Sequence, residues 1–342
     1  MSAQAKPYIG GQAVIEGVMM RSPGCLTVAV RRPDGTIALR EGPMKSKVAA
    51  SKLWKLPGLR GVATLVESMS MGMGALRFSA EQQFAEGEEQ PSEGSTRIAM
   101  MISTVFALGL FMVLPQLLTE LTIRFGHLTT QQQSPAYHAM TGGFKLAVLS
   151  GYLFAISRLK DVQRVFQYHG AEHKTIFAYE AELPLTVENV RKQSTLHPRC
   201  GTTFLIVVVF ISIAVGIVFT PLILPHAHGV SGFFQTLLLR IALLPLIAAV
   251  SFEFQRMTAR YCTTGPLRVL LWPGFLFQKV TTREPTDPQI EIAIAAMRAA
   301  VWREQVGPTI PSDDKPLVFA SFDGFVEALS SSLRGAPSPS AS

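Results

Sequence analysis

Hydrophobic and polar positions follow several rhythms along this chain. Over residues 8–40, short runs rich in Val, Ile, Thr and Met are interrupted by turn residues, the pattern of strands. LTVAVRRPDGTIAL at 26–39 sets Pro33-Asp34-Gly35 between two such runs and predicts a hairpin. Proline presets φ, the aspartate binds the backbone just beyond it, and glycine accepts positive φ. From about Gly58 to Ala80 the apolar positions take helical spacing, predicting an amphipathic helix rich in Met and Gly, with Glu67 near its middle. Four long apolar stretches follow: 98–118, 143–157 (the shortest), 203–224 and 233–252. The third, TFLIVVVFISIAVGIVFTPLIL, carries no charge, and about 20 helical residues cross a bilayer core. Helical spacing runs on from Arg158 to about Glu180, so the second stretch is expected to continue as helix past the membrane. Asp287-Pro288 supplies an N-cap and a first-turn proline for a helix to about Glu304. The Pro- and Ser-rich remainder reads as disordered, apart from a short amphipathic piece near 316–333.

Composition sharpens this into a class. Of 342 residues 48% are hydrophobic and 16% charged, against about 25% charged in soluble domains. An ordinary soluble domain and a disordered chain are thereby excluded. Three widely spaced cysteines exclude a disulfide framework, and residues 1–20 lack the pattern of a cleavable signal. The net charge of +7 invites a nucleic-acid reading, but its distribution removes it. Lys and Arg number twelve in 1–97, one in 119–142, seven in 158–202, none in 225–232 and nine in 253–342. Basic residues stay on the cytoplasmic side, so the expected fold is mainly α: a multi-pass helical membrane protein of about four spans, N-in and C-in, with a small N-terminal β-hairpin region. Its parts are a cytoplasmic β-rich region (1–50), the amphipathic helix (51–80) and a flexible acidic linker (81–96). A four-span bundle (97–252) with a cytoplasmic His-rich loop (158–202) comes next. A cytoplasmic helical region (253–304) and a largely disordered tail (305–342) complete the chain. Arg240 lies inside the fourth stretch and is expected to snorkel or pair.

The candidate chemistry sits in RLKDVQRVFQYHGAEHKTIFAYE at 158–180. On a helix Val162, Val165, Phe166, His169, Glu172, His173, Ile176, Phe177 and Glu180 share one face. Ionisable groups on a buried stripe need partners, because unpaired charge there is costly. His169 and His173, four apart, can converge on one ion. The order H-x-x-E-H is that of the inverted zincin motif, in which the glutamate activates the attacking water. The competing reading is a hydrogen-bonded network that merely holds the helix in place, and Gly170 weakens the helix within the motif. The third ligand stays open among Glu253, His197 and Cys200. Glu172 is the expected general base, with Arg199 or Arg256 stabilising developing negative charge. Glu16, beside Gly10, Gly11 and Gly17, whose spacing suggests close backbone approach, is expected to close the site over substrate. His127, His138, His226 and His228 map to the other side.

GGQAVIEGVMMRSP at 10–23, YHGAEHKTIFAYE at 168–180, LTVENVRKQSTLHPRCGTTF at 185–204 and TTREPTDPQIEIAI at 281–294 resemble the YqhQ-like family of bacterial membrane proteins, over roughly residues 8–300. The resemblance implies a bacterial inner-membrane location and a metal-dependent enzyme using His169, Glu172, His173, His197 and Cys200. It implies no particular reaction. The leading expectation is thus a membrane-embedded metal-dependent hydrolase with a divalent ion, zinc by its His and Cys donors, at the cytoplasmic interface. Its partners would be the lipid bilayer and a membrane-associated substrate or protein, not nucleic acid. The rival is a non-catalytic scaffold or assembly factor using the same polar cluster to bind a partner. A transporter has less support, since only Arg240 is charged inside the clear spans and no inverted repeat is evident.

Overall fold

The computed structural model describes residues 7–44, 54, 56, 58–84, 93–262, 265–306 and 316–335. Residues 85–92 of the expected acidic linker, and residues 307–315 and 336–342 of the tail, lie outside them. The N-terminal runs form an antiparallel meander: β1 (Gly10–Val14), β2 (Gly17–Arg21), β3 (Cys25–Arg31) and β4 (Ile37–Pro43). At the expected hairpin Asp34 Oδ1 accepts from the Thr36 amide (2.9 Å) and hydroxyl (2.7 Å), and Gly35 takes φ +88°. Then come α1 (Leu59–Glu81), and α2 (Glu93–Leu108) running through a π-helical turn at Gly109–Val113 into α3 (Leu114–Phe125). Further on lie α4 (Pro135–Ile156), α5 (Lys160–Glu180), α6 (Val187–Arg191) and α7 (Gly201–Ile223). The chain continues through α8 (Gly229–Ala242), α9 (Leu244–Tyr261), α10 (Trp272–Thr281) and α11 (Asp287–Val306). It closes with β5 (Leu317–Phe319) and α12 (Phe322–Gly335).

The sheet is the middle of three layers. Val14, Met19, Val28 and Val30 pack on Ala75 and Phe78 of α1. Val18, Met20, Ala29 and Ile37 pack on the opposite side with Tyr168 and Ile176 of α5 and Ile290, Ile294 and Met297 of α11. Both faces being covered, β2 and β3 carry near-continuous apolar runs rather than an alternation. The amphipathic piece expected near 316–333 is a short strand followed by a helix. Leu317–Phe319 adds β5 to the edge of β4, and Phe325 of α12 is buried in the core. These residues acquire apolar partners only once β4 and α11 stand beside them, which the local pattern does not reveal. The α11 cap also differs: the Gln289 carboxamide oxygen accepts from both the Thr286 amide at 2.9 Å and its hydroxyl at 3.1 Å, while the Gln289 backbone amide donates to the Thr286 carbonyl. Asp287 is instead bound by Arg191.

Three helices are long and apolar enough to cross a membrane: Gly94–Phe125, Pro135–Ile156 and Gly201–Ile223. A fourth candidate is the pair α8–α9, bent by 49° at Leu243. The second helix begins eight residues before the apolar stretch that announces it. Its first turns hold His138, Thr141 and Lys145, polar groups that lower hydropathy but face partners inside the bundle. Nor does it continue into α5. Ser157–Leu159 interrupts the two helices, with Leu159 in extended conformation.

Candidate metal centre

α5 is not a one-sided amphipathic helix. From Gly170 to Ala178 the side chains are buried nearly all round, because β1 and β2, α11 and the 181–200 segment enclose it. Two glycines permit this closeness. A Cβ on Gly170 would lie 2.0 Å from the Arg283 carbonyl oxygen, so the residue that weakens the helix also lets the 281–286 segment pack against it. A Cβ on Gly11 of β1 would lie 2.6 Å from Glu172, whose carboxylate accepts the Gly11 amide.

Within this enclosure His169, His173 and Cys200 each offer a ligand atom, all within 4.8 Å of one another. His169 Nδ1 donates to the Thr281 carbonyl at 2.8 Å, which leaves the Nε2 lone pair free, 3.2 Å from Cys200 Sγ. His173 Nδ1 likewise donates to the Thr195 carbonyl, leaving Nε2 as an acceptor toward the Cys200 thiol. Cys200 caps α7, with the Thr202 amide at 3.4 Å and hydroxyl at 3.2 Å from the sulfur. Imidazoles whose Nδ1–H is fixed by a carbonyl while Nε2 faces a common point have the outer support typical of metal-bound histidines. Donors on a tetrahedral zinc stand about 3.3–3.8 Å apart, as its bond lengths require. The donor types and tautomers suit such an ion, and their 4.8 Å envelope would have to draw in to that spacing around it.

Glu172 lies beside this group, 4% exposed, with Oε2 3.5 Å from His173 Nε2. Burial pushes its carboxyl up and the His173 imidazole down, so both are driven toward neutrality and the contact is not an ion pair. His197 packs its ring 5.5 Å from that of His173. Its Nδ1 accepts the Arg199 amide at 3.4 Å, while its buried Nε2 has no hydrogen-bond partner among the described residues and lies 3.7 Å from Glu180 Oε2. Burial pushes this imidazole down as well.

Four other candidates stand apart from the three donors. Glu253 is bound by Arg60 through both oxygens, docking α1 on α9 instead of completing a ligand set. Arg256, one helical turn further, is exposed. Glu16, in the β1–β2 turn with φ +51°, takes the Arg164 guanidinium at 2.5 Å and the Tyr168 hydroxyl at 3.3 Å, tying the hairpin to α5. Arg199 pairs with Glu180 and lies 4.6 Å from the Tyr8 ring. Sequence reasoning missed the carbonyls of Thr195 and Thr281. Backbone acceptors leave no residue signature, although Thr281 opens one of the family-like blocks.

The family model described as "Protein of unknown function (DUF1385)" matches residues 56–303. Over 301 residues the chain is 36% identical to "Uncharacterized protein YqhQ" of Bacillus subtilis (strain 168), an overlap spanning 84% of this chain and 90% of that protein. No solved structure matches. With the family model covering most of the sequence and such a relative matched over nearly its full length, the chain belongs to the YqhQ-like DUF1385 family.

Proposed function

We propose that this protein is a metal-dependent hydrolase of the bacterial inner membrane, with a zinc ion held by His169, His173 and Cys200 on the cytoplasmic side. One observation carries the reading: both histidines spend Nδ1–H on backbone carbonyls, leaving two Nε2 lone pairs and a sulfur aimed at each other. When bound, zinc would supply a Lewis acid that polarises the substrate oxygen. In its ionised form, which the Gly11 amide favours, Glu172 takes the proton of the attacking water and returns it to the leaving group. The Gly11 amide keeps that carboxylate oriented. His197 offers its buried Nε2–H, which makes no closer contact than Glu180 Oε2 at 3.7 Å, to developing negative charge. Glu16 and Arg164 hold the hairpin that carries Gly11.

Elemental analysis of the full chain, purified without chelator, tests the centre. One zinc per chain is expected, and none in His169→Ala or His173→Ala. A metal-free wild type overturns the reading in favour of the scaffold alternative. The N-in, C-in arrangement is supported by the Lys and Arg asymmetry and the apolar helices. All three native cysteines are buried, so Thr130→Cys and Glu188→Cys can be labelled without background. Impermeant reagent added outside cells should label the first and spare the second, and labelling of both from one side removes the cytoplasmic assignment.

A further inference from the structure

A second site lies beside the metal centre. Where α4 turns through Ser157–Leu159 into α5, a cavity of about 790 Å3 opens against the segment joining α10 to α11. Arg158, Lys279 and Arg283 line it, together with Phe154, Gln163 and Glu284. Among the described residues none of these three cations is paired with a carboxylate. The Arg158 guanidinium lies 4.3 Å from the Phe154 ring, and Arg283 donates to the Ser157 carbonyl at 3.1 Å. Glu284, the single acid in the lining, is bound to Lys174 at 2.9 Å. A concave surface with three positive charges against one acid, itself held by Lys174, attracts an anion.

Position narrows the choice. The cavity sits at the end of a membrane-length apolar helix. Phe154, Leu159, Trp272 and Leu276, on the elements that bound it, are exposed. Exposed aromatic and aliphatic side chains beside basic ones mark headgroup depth, and basic pockets between helices on the cytoplasmic side take phosphorylated headgroups. We propose that this cleft binds the phosphate of an anionic phospholipid headgroup, its acyl chains lying along the exposed apolar side chains. The wall is shared with the metal centre: the Thr281 carbonyl holds His169, and the Arg283 carbonyl abuts Gly170. As the substrate class of the hydrolase this rests on the zinc reading; as a binding site it does not.

Native mass spectrometry of the detergent-purified full chain, titrated with phosphatidylglycerol or phosphatidylcholine, tests the proposal. One phosphatidylglycerol per chain should bind at concentrations where phosphatidylcholine does not. Arg158→Gln/Lys279→Gln/Arg283→Gln should weaken it by about fivefold per charge removed. Lys279→Gln alone, at an exposed side chain, should give about one such step and guards against misfolding of the triple variant. Equal binding of both lipids, or unchanged binding in Lys279→Gln and the triple variant, overturns the site. Displacement of the lipid by millimolar inorganic phosphate overturns the lipid as occupant. Zinc is measured on the same samples, so lipid binding by a zinc-free chain would keep this site and remove only the hydrolase.

Discussion

Two buried polar clusters in this molecule are built on opposite principles. In the helical bundle Arg240, 8% exposed, donates to Gln116 Oε1 at 3.1 Å and to His138 Nδ1 at 3.3 Å. Around it the Gln116 amide reaches the Phe233 carbonyl and the Thr236 hydroxyl, Thr119 meets Thr141, and Tyr137 donates to Glu120. Nearly every donor there has an acceptor, His138 Nε2 being the exception. At the His169–His173–Cys200 centre, two imidazole nitrogens that can only accept converge on a sulfur. The Cys200 thiol proton can serve the His169 nitrogen, and the buried Glu172 carboxyl lies 3.5 Å from that of His173. A matched network is complete without a guest, whereas convergent lone pairs call for a cation. Hydropathy treats the two alike, and only the direction of donors and acceptors separates them.

The sharpest break between the clusters is zinc content. His173→Ala should take it from one per chain to none, while His138→Ala leaves it at one; loss in both would erase the distinction. The next largest effect is steric. Gly170→Ala drives a methyl into the Arg283 carbonyl, and backbone cannot yield as a side-chain end can. About 3 kcal/mol of stability should be lost, with zinc affinity falling too because Thr281 moves with Arg283. Thermal unfolding in detergent beside a zinc titration measures both, and an unshifted melt would show that the contact is not tight. In the bundle Arg240→Met should cost only about 1 kcal/mol, since polar contacts between membrane helices are individually weak and the remaining groups find one another. A loss of zinc in that variant would couple clusters that the comparison separates.

The smallest effect concerns Cys25, a buried sulfur with matched partners: Ser22 Oγ at 3.0 Å and the Ala300 carbonyl at 3.5 Å. Burial pushes its thiol up to about 11. Because the acid is held neutral, about one thiol in a thousand is ionised at pH 8, so alkylation of the folded protein should be slow and should quicken as pH rises toward 11. Cys25→Ala should leave zinc unchanged. Rapid alkylation at pH 8 would mean that burial alone does not quiet a sulfur here.

Legibility varied with the range of the interaction. The Pro33-Asp34-Gly35 hairpin was plain from sequence because its turn closes on itself. The i, i+4 histidines were plain because helix geometry alone brings them together. Cys200 remained one of three possible ligands, since choosing it over Glu253 depends on how α7 meets α5 and on Arg60 reaching Glu253 first. Gly170 read as a local weakness, and its use emerged only with the Arg283 carbonyl beside it.

The linear order of residues thus determined apolar helices of membrane length, a strand-rich N-terminus and two imidazoles four residues apart, all properties of charge, hydropathy and local backbone geometry. Tertiary structure decided the rest: β5 on the sheet edge, α5 enclosed nearly all round from Gly170 to Ala178, and Arg240 paired instead of snorkelling. It also set the Thr195 and Thr281 carbonyls that orient the histidines. Each of these depends on groups distant in sequence meeting at hydrogen-bond or van der Waals range, and no local pattern encodes such a meeting.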